Sequence, residues 1–152
     1  MKKTFETLAE VAAHVGQDVA VSDWLTISQD QINQFADATL DHQWIHTDPE
    51  KAKAGPFGTP IAHGFLTLSL LPAMFASAFE IKQTRMGVNY GLNKVRFTAP
   101  VPVGSRLRGH MHLLACELIE PHGLQMTWRV TVECEGADKP VCVAESLVRH
   151  YA

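Results

Sequence analysis

The chain has 152 residues, 46% hydrophobic and 19% charged, which suits one globular domain with a sizeable core. A formal charge of -3, with Lys and Arg scattered, excludes the basic footprint of a nucleic-acid binder. Cys116, Cys134 and Cys142 form no CxxC pair and no zinc spacing; they read as free thiols of a reducing compartment.

Near the N-terminus, Lys2 and Lys3 precede no long apolar stretch, because Glu6, Glu10 and Asp18 interrupt. No signal peptide is read there, and a cytoplasmic location is expected. Phe5, Leu8, Val11, Ala12 and Val15 recur near the helical period and Gly16 is a natural stop, so a helix is predicted over 5–15. Trp24 to Ile27 reads as a short strand. Ser28 then caps a helix, with Gln31 as its capping-box partner and Ile32, Phe35 and Ala36 as the buried stripe. The segment around 41–47 reads as loop. Asp48-Pro49 starts a short helix that ends by Gly55, and 55–62 is loop. The apolar run from Ile61 to Phe79 has roughly the length of a membrane span. It carries His63, Thr67, Ser69, Pro72 and Ser77, and is read instead as one buried helix with no membrane partner.

The second half changes period. Leu124, Met126, Trp128, Val130, Val132 and Cys134 alternate with polar residues, the mark of a strand with one wet face. Residues 107–115 alternate likewise, and 88–98 and 141–151 are strand-like. Turns fall at 121–123 and 135–138. The predicted class is α+β: one domain over 1–152, with a mostly antiparallel sheet wrapped around a long central helix.

Chemistry concentrates in two places. Asp41 and His46 lie five positions apart with Trp44 and Ile45 between them. A carboxylate and an imidazole in a partly dry pocket bind a water and move its proton. Gly64, at the head of the apolar helix, offers a bare backbone N–H to an oxyanion. Together they point to adding water to, or removing it from, an activated carbonyl compound. Plainer readings stand beside these. Asp41 also suits a loop-capping acid, and His46 a satisfied buried histidine. His63 either closes the loop through a hydrogen bond or meets substrate. Gln43 either bonds the loop backbone or lines the pocket, and Trp44 reads as packing. His42 and His46 are four apart, a metal pair if helical; in a loop without a third ligand in register, no metal site is expected.

The chain resembles the MaoC-type dehydratases, the (R)-specific enoyl-CoA hydratase group of the hot-dog fold. The resemblance runs over nearly the whole length and is strongest in Phe35 to Leu71 and Asn89 to Gly104. Asp41, Ile45 and His46 match the hydratase motif at its spacing, while Thr39-Leu40 and Gln43-Trp44 replace its Ser-Gly and Asn-Pro. Ile61-Ala62-His63-Gly64 with Leu66 and Ser69-Leu70 matches the start of the family's central helix. The resemblance implies that Asp41 and His46 hold the catalytic water and that the Gly64 N–H polarises a thioester carbonyl. It implies reversible hydration of trans-2-enoyl-CoA to (R)-3-hydroxyacyl-CoA in a homodimer. No separate cofactor is implied, since coenzyme A arrives with the substrate. Arg96 or Lys94 is placed to meet the coenzyme A phosphates, with a solvated face as the alternative. A thioesterase on the same fold and a non-catalytic acyl-binding subunit are the rival readings.

Overall fold

A computed structural model describes residues 2–152. Strands β1 (Lys3–Phe5), β2 (Asp18–Val21), β3 (Leu25–Thr26), β4 (Phe79–Ile81), β5 (Met86–Arg96), β6 (Arg106–Ile119), β7 (Gly123–Cys134) and β8 (Cys142–Tyr151) form two sheets. The larger runs β2-β6-β7-β8-β5, with β3 also on β6, and every pairing in it is antiparallel. β1 and β4 pair in parallel apart from it.

The long strands obey the predicted alternation. On β7, Leu124, Met126, Trp128, Val130 and Val132 are buried, and Leu107, Met111 and Leu113 answer them from β6. A period of two puts these side chains on one face, so burying that face specifies the register.

The helices are α1 (Leu8–Ala12), α2 (Gln29–Thr39), α3 (Trp44–Thr47), α4 (Pro49–Lys53), α5 (Gly64–Ser69) and α6 (Leu71–Ala78). Ser28 caps α2 by accepting from the Gln31 N–H, and Asp48 caps α4 by accepting from Lys51, both as the sequence signals require.

Three expectations need correction. The helix predicted over 5–15 is only the short α1, started by Thr7, whose side chain accepts from the Glu10 N–H. Phe5 belongs to β1, paired with Ile81; a tertiary partner outweighed local periodicity. β2 carried no clear sequence signal. Trp44–Thr47, read as loop, forms one helical turn. Finally, the run 61–79 is not one enclosed helix. Ile61 bridges Pro102, and the Ala62 N–H bonds Val101. α5 and α6 are separated at Leu70, because Pro72 cannot donate to the Leu68 carbonyl. Leu66, Thr67, Leu71, Met74 and Ala78 are buried against the sheet, whereas Phe65 on the other side is 66% exposed. No helix among the described residues is long and apolar enough to cross a membrane.

Candidate active site

Two loops converge at the N-terminus of α5. One holds Asp41 and leads into α3, which carries His46. The other is the extended Pro60–His63 segment feeding α5. They are cross-laced by three hydrogen bonds. Ile61 N–H donates to the Ile45 carbonyl at 3.0 Å. His46 Nδ1 donates to the Ile61 carbonyl at 2.7 Å. His63 Nε2 donates to the Asp41 carbonyl at 3.0 Å. Each histidine is thus anchored on the loop that carries the other functional group.

These bonds also assign tautomers, because a carbonyl only accepts. His46 carries its proton on Nδ1, which leaves the Nε2 lone pair available. His63 carries its proton on Nε2, and its Nδ1 is buried without a protein partner. The two rings stack with centroids 3.9 Å apart and planes 24° from parallel. Phe35 closes the other side of His63 at 4.9 Å.

His46 and His63 are 7% and 2% exposed, while Asp41 is open to solvent. Burial is the main cause that pushes His46 below its ordinary value of 6.5; the neighbouring His63 pushes the same way, and the Ile61 carbonyl and Asp41 oppose them. A ring held neutral with a free Nε2 is able to accept a proton.

One ligand atom each from Asp41, His46 and His63 lies within 4.8 Å of the others. A metal must lie in the plane of both rings at about 2.0–2.1 Å from each nitrogen. Near-parallel stacked planes do not meet that close, so the cluster suits proton transfer rather than metal ligation. The His42/His46 pair raised by sequence is not assembled either, since His42 Nε2 turns to Asp37 at 2.9 Å.

Gly64 is the first residue of α5, with His63 as cap, and N–H groups of a first turn have no intrahelical acceptor. A Cβ on Gly64 would lie 2.8 Å from the Phe97 ring, so the glycine is required by Phe97 packed over it.

Gln43 caps α3 through its carbonyl, which accepts from the His46 and Thr47 N–H groups. Its own N–H points to Asp41 Oδ1 at 3.4 Å. Trp44 packs on Gly55, where a Cβ would come within 2.8 Å of its ring, and Lys51 Nζ lies 5.1 Å from it. Arg96, at the end of β5 beside Phe97, is exposed and bonds only the Val95 carbonyl among the described residues. Sequence reasoning brought Asp41, His46 and Gly64 to one place but missed Phe35 and Phe97 as walls. Their apolar character was visible; their neighbours were not.

A family profile described as "MaoC like domain" matches residues 10–135. The chain is 56% identical over 150 residues to 3-hydroxyacyl-thioester dehydratase Z of Mycobacterium tuberculosis, covering 99% of both chains. It is 49% identical over 140 residues to Nodulation protein N of Rhizobium leguminosarum, covering 91% of this chain and 87% of that one. R-hydratase PhaJ1 from Pseudomonas aeruginosa superposes with TM-score 0.69 at 26% identity, over 90% of this chain and 81% of the other. A MaoC-like dehydratase from Rhodospirillum rubrum shares the fold with TM-score 0.77 at 21% identity, over 95% and 96%. The chain therefore belongs to the MaoC-like dehydratase family, hydro-lyases of the hot-dog fold.

Proposed function

We propose that this protein is an (R)-specific 2-enoyl-CoA hydratase, acting reversibly as a 3-hydroxyacyl-CoA dehydratase. The observation that carries the proposal is the cross-laced pair of loops. It holds a neutral imidazole with a free Nε2 beside a carboxylate, next to the start of α5. The 56% identity to a 3-hydroxyacyl-thioester dehydratase and the 26% identity to an R-hydratase support it.

In hydration, Asp41 and His46 hold a water against Cβ of the enoyl group. The water's oxygen forms the bond to Cβ as its proton passes to His46 Nε2. The electron pair of the Cα–Cβ double bond moves towards the thioester, and its oxygen accepts from the Gly64 N–H. Such a donor contributes about 2.7–4 kcal/mol of transition-state stabilisation. The enolate then takes a proton at Cα from the His46 imidazolium, whose depressed proton affinity favours release. Asp41 orients the water and stabilises the transient cation. His63 is a positioning residue: it ties the Asp41 backbone and stacks on the base. Gln43 lines the mouth, and Arg96, with free donors, meets the phosphates of coenzyme A. No cofactor is needed beyond the thioester's own coenzyme A.

The working unit is a homodimer joined through β5. That strand ends the sheet, and Met86, Val88, Tyr90 and Leu92 along it are 44% to 57% exposed. A long apolar edge calls for a partner strand.

Crotonyl-CoA tests the function. Loss of enoyl absorbance without free thiol, giving (R)-3-hydroxybutyryl-CoA, is the expected result. Free thiol with no hydroxyacyl product would mean a thioesterase, and binding without turnover an acyl-binding subunit.

A further inference from the structure

Among the described residues, three hydrogen bonds from outside α3 hold His46 and the residue before it. His46 Nδ1 donates to the Ile61 carbonyl, and the Ile45 carbonyl accepts from the Ile61 N–H. The third reaches the carbonyl of His46 itself, which accepts from Gln29 Nε2 at 2.8 Å. Ile61 acts through its main chain. Gln29 acts through its side chain, so its bond is the one of the three that a side-chain substitution removes directly.

A single turn such as α3 does not hold itself together, and the carbonyls at its C-terminal end have no partner within the helix. α2, by contrast, is anchored. Ser28 caps it, and Ile32 and Ala36 are 0% exposed. Gln29 is its first residue, and Asn33 Oδ1, one turn on, accepts from the same Gln29 Nε2 at 3.0 Å. A backbone carbonyl only accepts, so the amide nitrogen of Gln29 is the end that faces His46. Two further contacts run from α2 to the same pair of loops. Phe35 lies 4.9 Å from the His63 ring, and Asp37 Oδ1 accepts from His42 Nε2 at 2.9 Å.

We propose that Gln29 is a positioning residue for the base: its bond to the His46 carbonyl ties α3 to the anchored α2 and sets where His46 Nε2 points. The proposal rests on the acid–base role given to His46 above and deepens it. With that bond gone, α3 is free to turn about its Ile61 contacts. Nε2 then swings away from the water, and a misplacement of about 1 Å costs on the order of 10²-fold in rate.

The test assays the full chain carrying Gln29→Met, which keeps the length of the side chain and removes the donor. With crotonyl-CoA, kcat should fall about tenfold to hundredfold while KM stays within about twofold. Gln29→Glu keeps the shape, suits a first helical turn and also lacks the donor at neutral pH, so its kcat should fall alike. The His46 ring is followed by NMR titration in the parent and in Gln29→Met, its signal assigned by its loss in His46→Gln. In the parent, burial is the main cause that holds it below 6.5, with Asp41 and His63 as titratable neighbours. A loosened α3 admits water to the ring, so the titration should move up towards 6.5 in the variant. A merely structural role would lower Tm and leave kcat, KM and the titration of the folded protein at parent values, and that result overturns the proposal. So does a change confined to KM, or full activity in Gln29→Glu. If the parent does not hydrate crotonyl-CoA, the hydratase reading falls on its own, and Gln29 stands or falls on the titration.

Discussion

His46 and His63 stack face to face, with ring centroids 3.9 Å apart, and each is hydrogen-bonded to the main chain of the other's loop. The imidazole stacked on His46 is one of the causes that help keep His46 neutral. His63→Phe preserves a flat ring but removes the tie to the Asp41 carbonyl and the neighbouring imidazole. Its kcat should fall, and the acidic limb of kcat/KM should move to higher pH, because one cause of the lowered His46 value is gone. A pH–rate profile checks this; a limb that stays in place would remove His63 from the electrostatics of the site.

His46→Gln and Asp41→Asn should each lower kcat by about 10²–10⁴-fold with little change in KM, as the roles proposed for them on the water in the transition state require. Asp41 is exposed, so Asp41→Asn should keep the parent Tm, within about 0.5 kcal/mol of stability. Steady-state kinetics with thermal melts separate the two effects. A change confined to KM would count against catalysis.

Gly64→Ala should impair activity because its Cβ meets the Phe97 ring at 2.8 Å. Pairing it with Phe97→Ala vacates that space. Recovery of turnover in the double variant would identify Phe97 as the obstacle; no recovery would mean that the added methyl blocks the thioester itself.

Leu92→Glu on β5 should give monomers by size-exclusion chromatography with light scattering. The charge falls on an edge strand where Tyr90 and Leu92 are 57% and 46% exposed. A dimer that persists would place the interface elsewhere.

Acid should weaken the fold through two histidines. Burial pushes His150 below 6.5, and burial first among several causes does the same for His46. The unfolded chain therefore binds more protons between the folded and unfolded values. The stabilisation is complete above pH 6.5 and is lost as pH falls through the lowered values. Tm measured on either side of 6.5 should show the loss, and His150→Phe should lessen its steepness.

Much of the site was legible along the chain. Asp41 and His46 had the spacing of an acid–base pair, and Gly64 stood at a helix start. Ser28 and Asp48 announced their caps, because a cap is a contact between residues three apart. The strands of the second half followed from alternation, which records a buried face directly. What failed were features set by distant partners. Phe5 left its apparent helix for a strand beside Ile81. The Phe97 ring packs over Gly64, a contact that no local pattern announces.

The sequence by itself determined which groups are present and which local elements carry them, since periodicity and capping depend on near neighbours. Only the tertiary structure decided the tautomer and proton affinity of His46. Both depend on a carbonyl at Ile61 and a ring at His63, residues far along the chain that meet only when the sheet and α5 are packed. Asp41 and His46 are an acid and a base by composition; the folded loops are what make His46 a neutral base aimed by its own hydrogen bond.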